Sequence, residues 1–86
     1  MPEICRFLGM VIAMYHNDHP PPHFHVRYGA HRAVVDLGSL AVIAGSLPPR
    51  ALGLVTEWAA LHRGDLLRCW DQVRRHLPPD RVAPLE

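Results

Sequence analysis

Residues 23–36 alternate so regularly that a β-hairpin is the only local structure that suits them. In Phe24-His25-Val26-Arg27-Tyr28 the apolar and polar side chains take turns, and successive side chains of a strand point to opposite faces. Gly29-Ala30 follows, with Gly at the first central position of a type II′ turn, and His31-Arg32-Ala33-Val34-Val35-Asp36 resumes the strand. A two-residue turn dictates the partners: Tyr28 opposite His31, Arg27 opposite Arg32, Val26 opposite Ala33, His25 opposite Val34, Phe24 opposite Val35 and His23 opposite Asp36. Phe24, Val26, Ala33 and Val35 then belong to a buried face. His23, His25, Arg27, Arg32 and Asp36 share the opposite one.

The rest of the chain is divided by proline. Pro20-Pro21-Pro22 and Pro48-Pro49 separate three parts, and Pro78-Pro79 ends the third. Ile4 to Tyr15 is apolar and partly β-branched, with Gly9 as a bend, and Leu40 to Ala44 adds a strand before Gly45. After Pro49 the period lengthens. Ala51, Leu54, Val55, Trp58 and Leu61 form one helical stripe, and Leu66, Cys69, Trp70, Val73 and Leu77 another. Arg63-Gly64 marks the break, with Asp65 suited to the start of the second helix. The expected fold is α+β: a small antiparallel β-sheet of about four strands over residues 4–45, then helices over about 48–62 and 65–77 packed on one sheet face. Residues 1–77 make one domain, and 78–86 a loose C-terminal extension with only Val82 and Leu85 to pack.

Composition narrows the function classes. Eighty-six residues supply one core, and 49% hydrophobic with 20% charged residues is globular usage. No apolar run reaches the roughly 20 residues of a membrane span, and the N-terminus lacks an export signal, so a cytoplasmic protein is expected. The formal charge of +1 excludes a polycation that coats nucleic acid, although all nine basic residues are Arg and seven more residues are His. Cys5 and Cys69 are too few and too far apart for a zinc knuckle or a CxxC pair.

Two chemistries compete for the polar face. His23 opposite Asp36, beside Arg27 and Arg32, places a carboxylate-oriented imidazole next to two cations that suit a phosphodiester. Opposed arginines also repel unless an anion lies between them. The rival is a divalent metal such as zinc. His23-Phe24-His25 puts two imidazoles on one strand face, and Asp18 and His19 precede them across the proline loop. An ordinary solvated sheet face would carry the same residue types, so the residues leave catalysis, binding and metal chemistry all open. No organic cofactor is implied.

Gly9 to Gly29, with its Asp18-His19-Pro20-Pro21-Pro22-His23-Phe24-His25-Val26 block, resembles the signature of the bacterial family called domain of unknown function 4160. Leu47-Pro48-Pro49-Arg50, Trp58 and Trp70 resemble that family too, so the likeness covers about residues 1–77. The resemblance implies a small toxin-like component of a two-gene toxin–antitoxin-type module, held by a small protein from the neighbouring gene, with no established activity in the family; the His/Arg face adds the expectation that it acts on RNA. Alternatives of other classes are a regulatory module that binds a partner protein, RNA or DNA without catalysis, and a small metal-binding protein. An open sheet edge would also allow a homodimer. His31 and Arg32 depart from the family, where an aromatic residue and a Lys are more usual, so a shared role for Arg32 does not follow from the resemblance.

Overall fold

The structure, a computed structural model, describes residues 3–85; residues 1, 2 and 86 of the expected segments lie outside it. Five strands rather than about four form the sheet: β1 (Glu3–Phe7), β2 (Met10–Ala13), β3 (His23–Tyr28), β4 (His31–Asp36) and β5 (Val42–Gly45). They lie in chain order, each antiparallel to the next. The bend expected at Gly9 is present and separates two short strands. Leu8 and Gly9 both have positive φ (47° and 82°), the signature of a two-residue hairpin turn that divides the first apolar segment into β1 and β2. At the second hairpin Gly29 has φ +59° and all six expected pairings, from His23 with Asp36 to Tyr28 with His31, are present.

Two helices follow, α1 (Pro49–Leu61) and α2 (Arg63–Arg74), with only His62 between them. Pro49 opens α1 where a missing N–H leaves no bond unmade. The break expected at Arg63-Gly64 falls one residue earlier, and Asp65 lies in the first turn of α2 without a side-chain cap. Arg63 also anchors that helix start: its guanidinium donates to the Leu37 and Gly38 carbonyls, both at 2.8 Å. At its other end α2 stops before residue 77. His76 takes φ +60°, His76 N–H donates to the Val73 carbonyl and Leu77 N–H to the Gln72 carbonyl, which together terminate the helix. The physical reason is Pro78, whose ring disfavours helical geometry at Leu77. Leu77, placed on the second stripe by periodicity, is accordingly exposed, and Leu61, the last residue of α1, is exposed as well.

One core joins the layers. Phe24, Val26, Ala33 and Val35 from the hairpin pack with Ala51, Val55, Trp58 and Ala59 of α1 and Leu66, Cys69, Trp70 and Val73 of α2. Trp58 is fully buried, its ring 5.4 Å from Phe7 and 5.9 Å from Phe24. Its indole N–H donates to the Ala83 carbonyl at 2.8 Å, so the tail is not loose. Val82 is buried, its N–H donates to the Ile4 carbonyl, and Arg81 pairs with Glu3. The last residues therefore lie along β1, while β5 ends the sheet at its other side. Gly45 in β5 has φ +73°, and a Cβ there would lie 2.1 Å from the Arg32 carbonyl oxygen, so only glycine lets β5 meet β4 so closely. Among the described residues no helix is long and apolar enough to cross a membrane.

Candidate functional site

The hairpin's polar side chains meet the loop between β2 and β3. That loop closes on itself: Asp18 N–H donates to the Tyr15 carbonyl, and Tyr15 N–H donates to the Asp18 carboxylate at 3.2 Å. The mutual bonds close the turn, with the side chain reaching back three residues to the backbone, and aim the carboxylate at β3. The Pro20–Pro21 peptide is cis. From Pro21 the backbone carbonyl accepts a hydrogen bond from His23 Nδ1 at 2.8 Å, and the Pro22 carbonyl accepts one from Leu37 N–H, which pins the loop beside the exit of β4.

Asp18 Oδ2 accepts a hydrogen bond from His25 Nε2 at 3.0 Å, and His23 Nε2 faces the same oxygen at 3.4 Å. The two imidazoles stand edge to face, centroids 5.3 Å apart. A carbonyl can only accept, so His23 carries its proton on Nδ1; an ionised carboxylate can only accept, so His25 carries one on Nε2. The flanks are aromatic. Tyr15 meets His25 edge-on at 4.7 Å, Trp70 lies 5.1 Å from His23, and the Arg74 guanidinium sits 5.5 Å over Trp70.

His23 therefore differs from the outward imidazole expected from parity. It is buried, 9% exposed, because the Trp70 indole of α2 closes over the first residue of β3. His25 is half-buried, and Arg27 and Arg32, opposite each other, are exposed. His23 and Asp36 are paired in the strand register, without a hydrogen bond between their side chains. Asp36 Oδ2 instead accepts from Ser39 N–H at 2.7 Å and the Ser39 hydroxyl at 3.0 Å. These bonds hold its carboxyl below the usual aspartate range, against a smaller opposing effect of burial. Asp36 stands at the strand exit, and the turn Leu37-Gly38-Ser39 brings donors nearer to it than the cross-strand ring, so the acid that orients the histidines is Asp18. His19, expected with Asp18, His23 and His25 as a metal ligand, is exposed and outside the group whose ligand atoms lie within 4.8 Å of one another, namely Asp18, His23 and His25.

On the sheet face opposite the helices lies a concavity of about 320 Å³ lined by Val11, Ala13, Tyr15, His25, Arg27, Arg32, Val34 and Ala44, with no helix residue among them. No carboxylate among the described residues pairs with Arg27 or Arg32, whereas Arg6, Arg68, Arg75 and Arg81 all have acidic partners. Tyr15 was not apparent as a site residue from the sequence. Its position three residues before Asp18 is the available signal, since a short acidic side chain can reach back to a backbone N–H at that spacing.

The molecule is thus a five-stranded antiparallel meander backed by two helices, with an Asp–His–His group at one end of an open, arginine-lined face. The chain belongs to the family described as Domain of unknown function (DUF4160), whose pattern matches residues 9–71. That span holds the proline loop, the hairpin, α1 and all but the last turn of α2. No curated protein and no solved structure is similar enough to the chain to count as a match.

Proposed function

We propose that the protein engages RNA on the helix-free face of its sheet, as the toxin-like member of a two-gene module of the kind its family resemblance implies. The observation that carries this reading is the opposition of Arg27 and Arg32 across β3 and β4 without an acidic partner, at the rim of a concavity that His25 also lines. Two guanidiniums held side by side repel, and a phosphate between them turns that repulsion into two charge-assisted contacts. Val11, Ala13 and Val34 give the floor of the concavity an apolar surface. Tyr15 offers a ring on which an unpaired base stacks. His25, oriented by Asp18, is the group at this face equipped for proton transfer.

Binding of short single-stranded RNA, followed by fluorescence anisotropy at several salt concentrations, tests the reading. Each arginine that meets a phosphate contributes about 0.7 to the slope of log affinity against log salt for a single strand. The double substitution Arg27→Ala/Arg32→Ala should therefore lower the slope by about 1.4 and abolish binding near physiological salt. Growth arrest on expression without the neighbouring gene, relieved by His25→Ala, would extend binding to action on RNA. RNA affinity unchanged in the double variant would remove the basis for the proposal.

A second reading has its own observation. The tail runs along β1, but β5 ends the sheet with Ile43 about half exposed. An edge strand of this kind accepts a strand from a partner, and the small protein encoded next door is the proposed occupant. Ile43→Glu should then abolish co-purification of the two proteins while leaving RNA binding intact.

A further inference from the structure

We propose that Asp18, His23 and His25 form a binding site for one divalent transition-metal ion of the zinc or ferrous class. The inference shares His25 and Asp18 with the RNA reading but rests on different observations: it concerns the end of the open face where the proline loop meets β3, and neither arginine takes part in it.

The orientation of His23 is the first support. Its Nδ1–H is engaged by the Pro21 carbonyl at 2.8 Å, so in the neutral ring the Nε2 lone pair points toward Asp18 Oδ2, 3.4 Å away, with no hydrogen bond between them. Two acceptors facing each other across that gap are unfavourable until a proton or a metal ion enters between them. A metal-ligating histidine is usually prepared in this way, one nitrogen fixed by a carbonyl and the other aimed at the ion. The ring is nine-tenths buried and held against Trp70, which gives it one orientation.

The second support is the set of donors. One ligand atom from each of the three residues lies within 4.8 Å of the others. Ligands around an ion at about 2.1 Å stand roughly 3.0 to 3.6 Å from one another, so small rotations of the His25 and Asp18 side chains bring all three to contact. His25 needs only to move its proton from Nε2 to Nδ1, a tautomer change in place. Asp18 contributes the negative charge, and no Arg among the described residues pairs with it. Two imidazoles and one carboxylate are a mixed nitrogen and oxygen set that favours zinc or ferrous iron over calcium or magnesium. Three protein ligands leave positions for water or an incoming oxygen, and with His25 about one-third exposed the site is open on that side.

The test uses full-length protein without a polyhistidine tag, stripped with chelator and titrated with Zn²⁺ by calorimetry and with Co²⁺ by visible absorption, in the absence of nucleic acid. One equivalent should bind, with d–d bands for Co²⁺. Asp18→Asn and His25→Ala should each weaken binding by more than the roughly 10- to 100-fold that loss of an outer-sphere partner costs. Both side chains are partly accessible and neither makes the Pro21 contact, and circular dichroism checks that the variants are folded. Sub-stoichiometric uptake by the wild-type chain overturns the proposal. So does a stoichiometric site that both variants retain at wild-type affinity, since the ion would then be held elsewhere. Wild-type protein that takes up one equivalent of metal but binds no RNA would count against the RNA reading alone, and wild-type protein that binds RNA but takes up no metal against the metal alone.

Discussion

His23 and Arg27 lie on the same side of the same strand, four residues apart, yet one is buried and the other exposed. Alternation along β3 accounts for what they share and fails to account for how they differ. Arg27 projects from the middle of the open face, where no helix reaches. His23 is the first residue of β3, where the proline loop and Trp70 of α2 converge on it. Strand parity assigns a side chain to a face; whether that face is covered depends on elements distant in sequence. The two ends of one polar row thus acquire different work, enclosed and hydrogen-bonded at His23, charged and open at Arg27.

The largest effect that would sharpen this contrast lies beneath the covered face. Trp58→Ala removes the fully buried ring that meets Phe7 and Phe24 and the donor that holds Ala83, and should cost about 3–5 kcal/mol in denaturant unfolding. A loss below about 1 kcal/mol would mean that the core does not depend on α1. The next effect is the contrast itself, measured in metal-free protein. His23→Ala leaves the Pro21 carbonyl without its donor and opens a space beside Trp70, for a loss of about 1–3 kcal/mol. Arg27→Ala should stay within about 0.5 kcal/mol of wild type, as exposed substitutions do. Equal losses at the two positions would break the comparison.

The smallest effect concerns Asp36. Its folded carboxyl is held below the ordinary aspartate value, chiefly by Ser39, so the unfolded chain takes up a proton first as the solution is acidified. The stabilisation is fully present above the unfolded value and disappears as pH falls through the folded one. Asp36→Asn should therefore be less stable than wild type at neutral pH, with the gap closing in acid, as thermal melts across a pH series would record. A gap that widens in acid would reverse the sign.

The hairpin was legible because its determinants are local: two-residue periodicity and a two-residue turn specify every pair from His23–Asp36 to Tyr28–His31. The helices were legible from their apolar stripes, but their ends depend on Pro78 and on a chain reversal at His62 that no stripe records. The tail escapes because its hold uses backbone groups on one side or both, Val82 N–H to the Ile4 carbonyl of β1 and the Ala83 carbonyl to the Trp58 indole of α1, with Arg81 paired to Glu3, none of which follows a periodic side-chain pattern. The histidines are legible at the site, and so is Asp18 in the metal reading, whereas the phosphodiester reading sets Asp36 beside them. Cross-strand adjacency favoured Asp36, whereas the direction of Asp18 is set by the closure of a non-repeating loop on Tyr15 and by the bond from His23 to Pro21.

The division between a covered and a working face is tested most directly by amide NMR during titration with single-stranded RNA. Shifts should concentrate at Val11, Tyr15, His25, Arg27, Arg32, Val34 and Ala44, around the open concavity. Perturbations centred on α1 and α2, with the hairpin amides unmoved, would contradict the account.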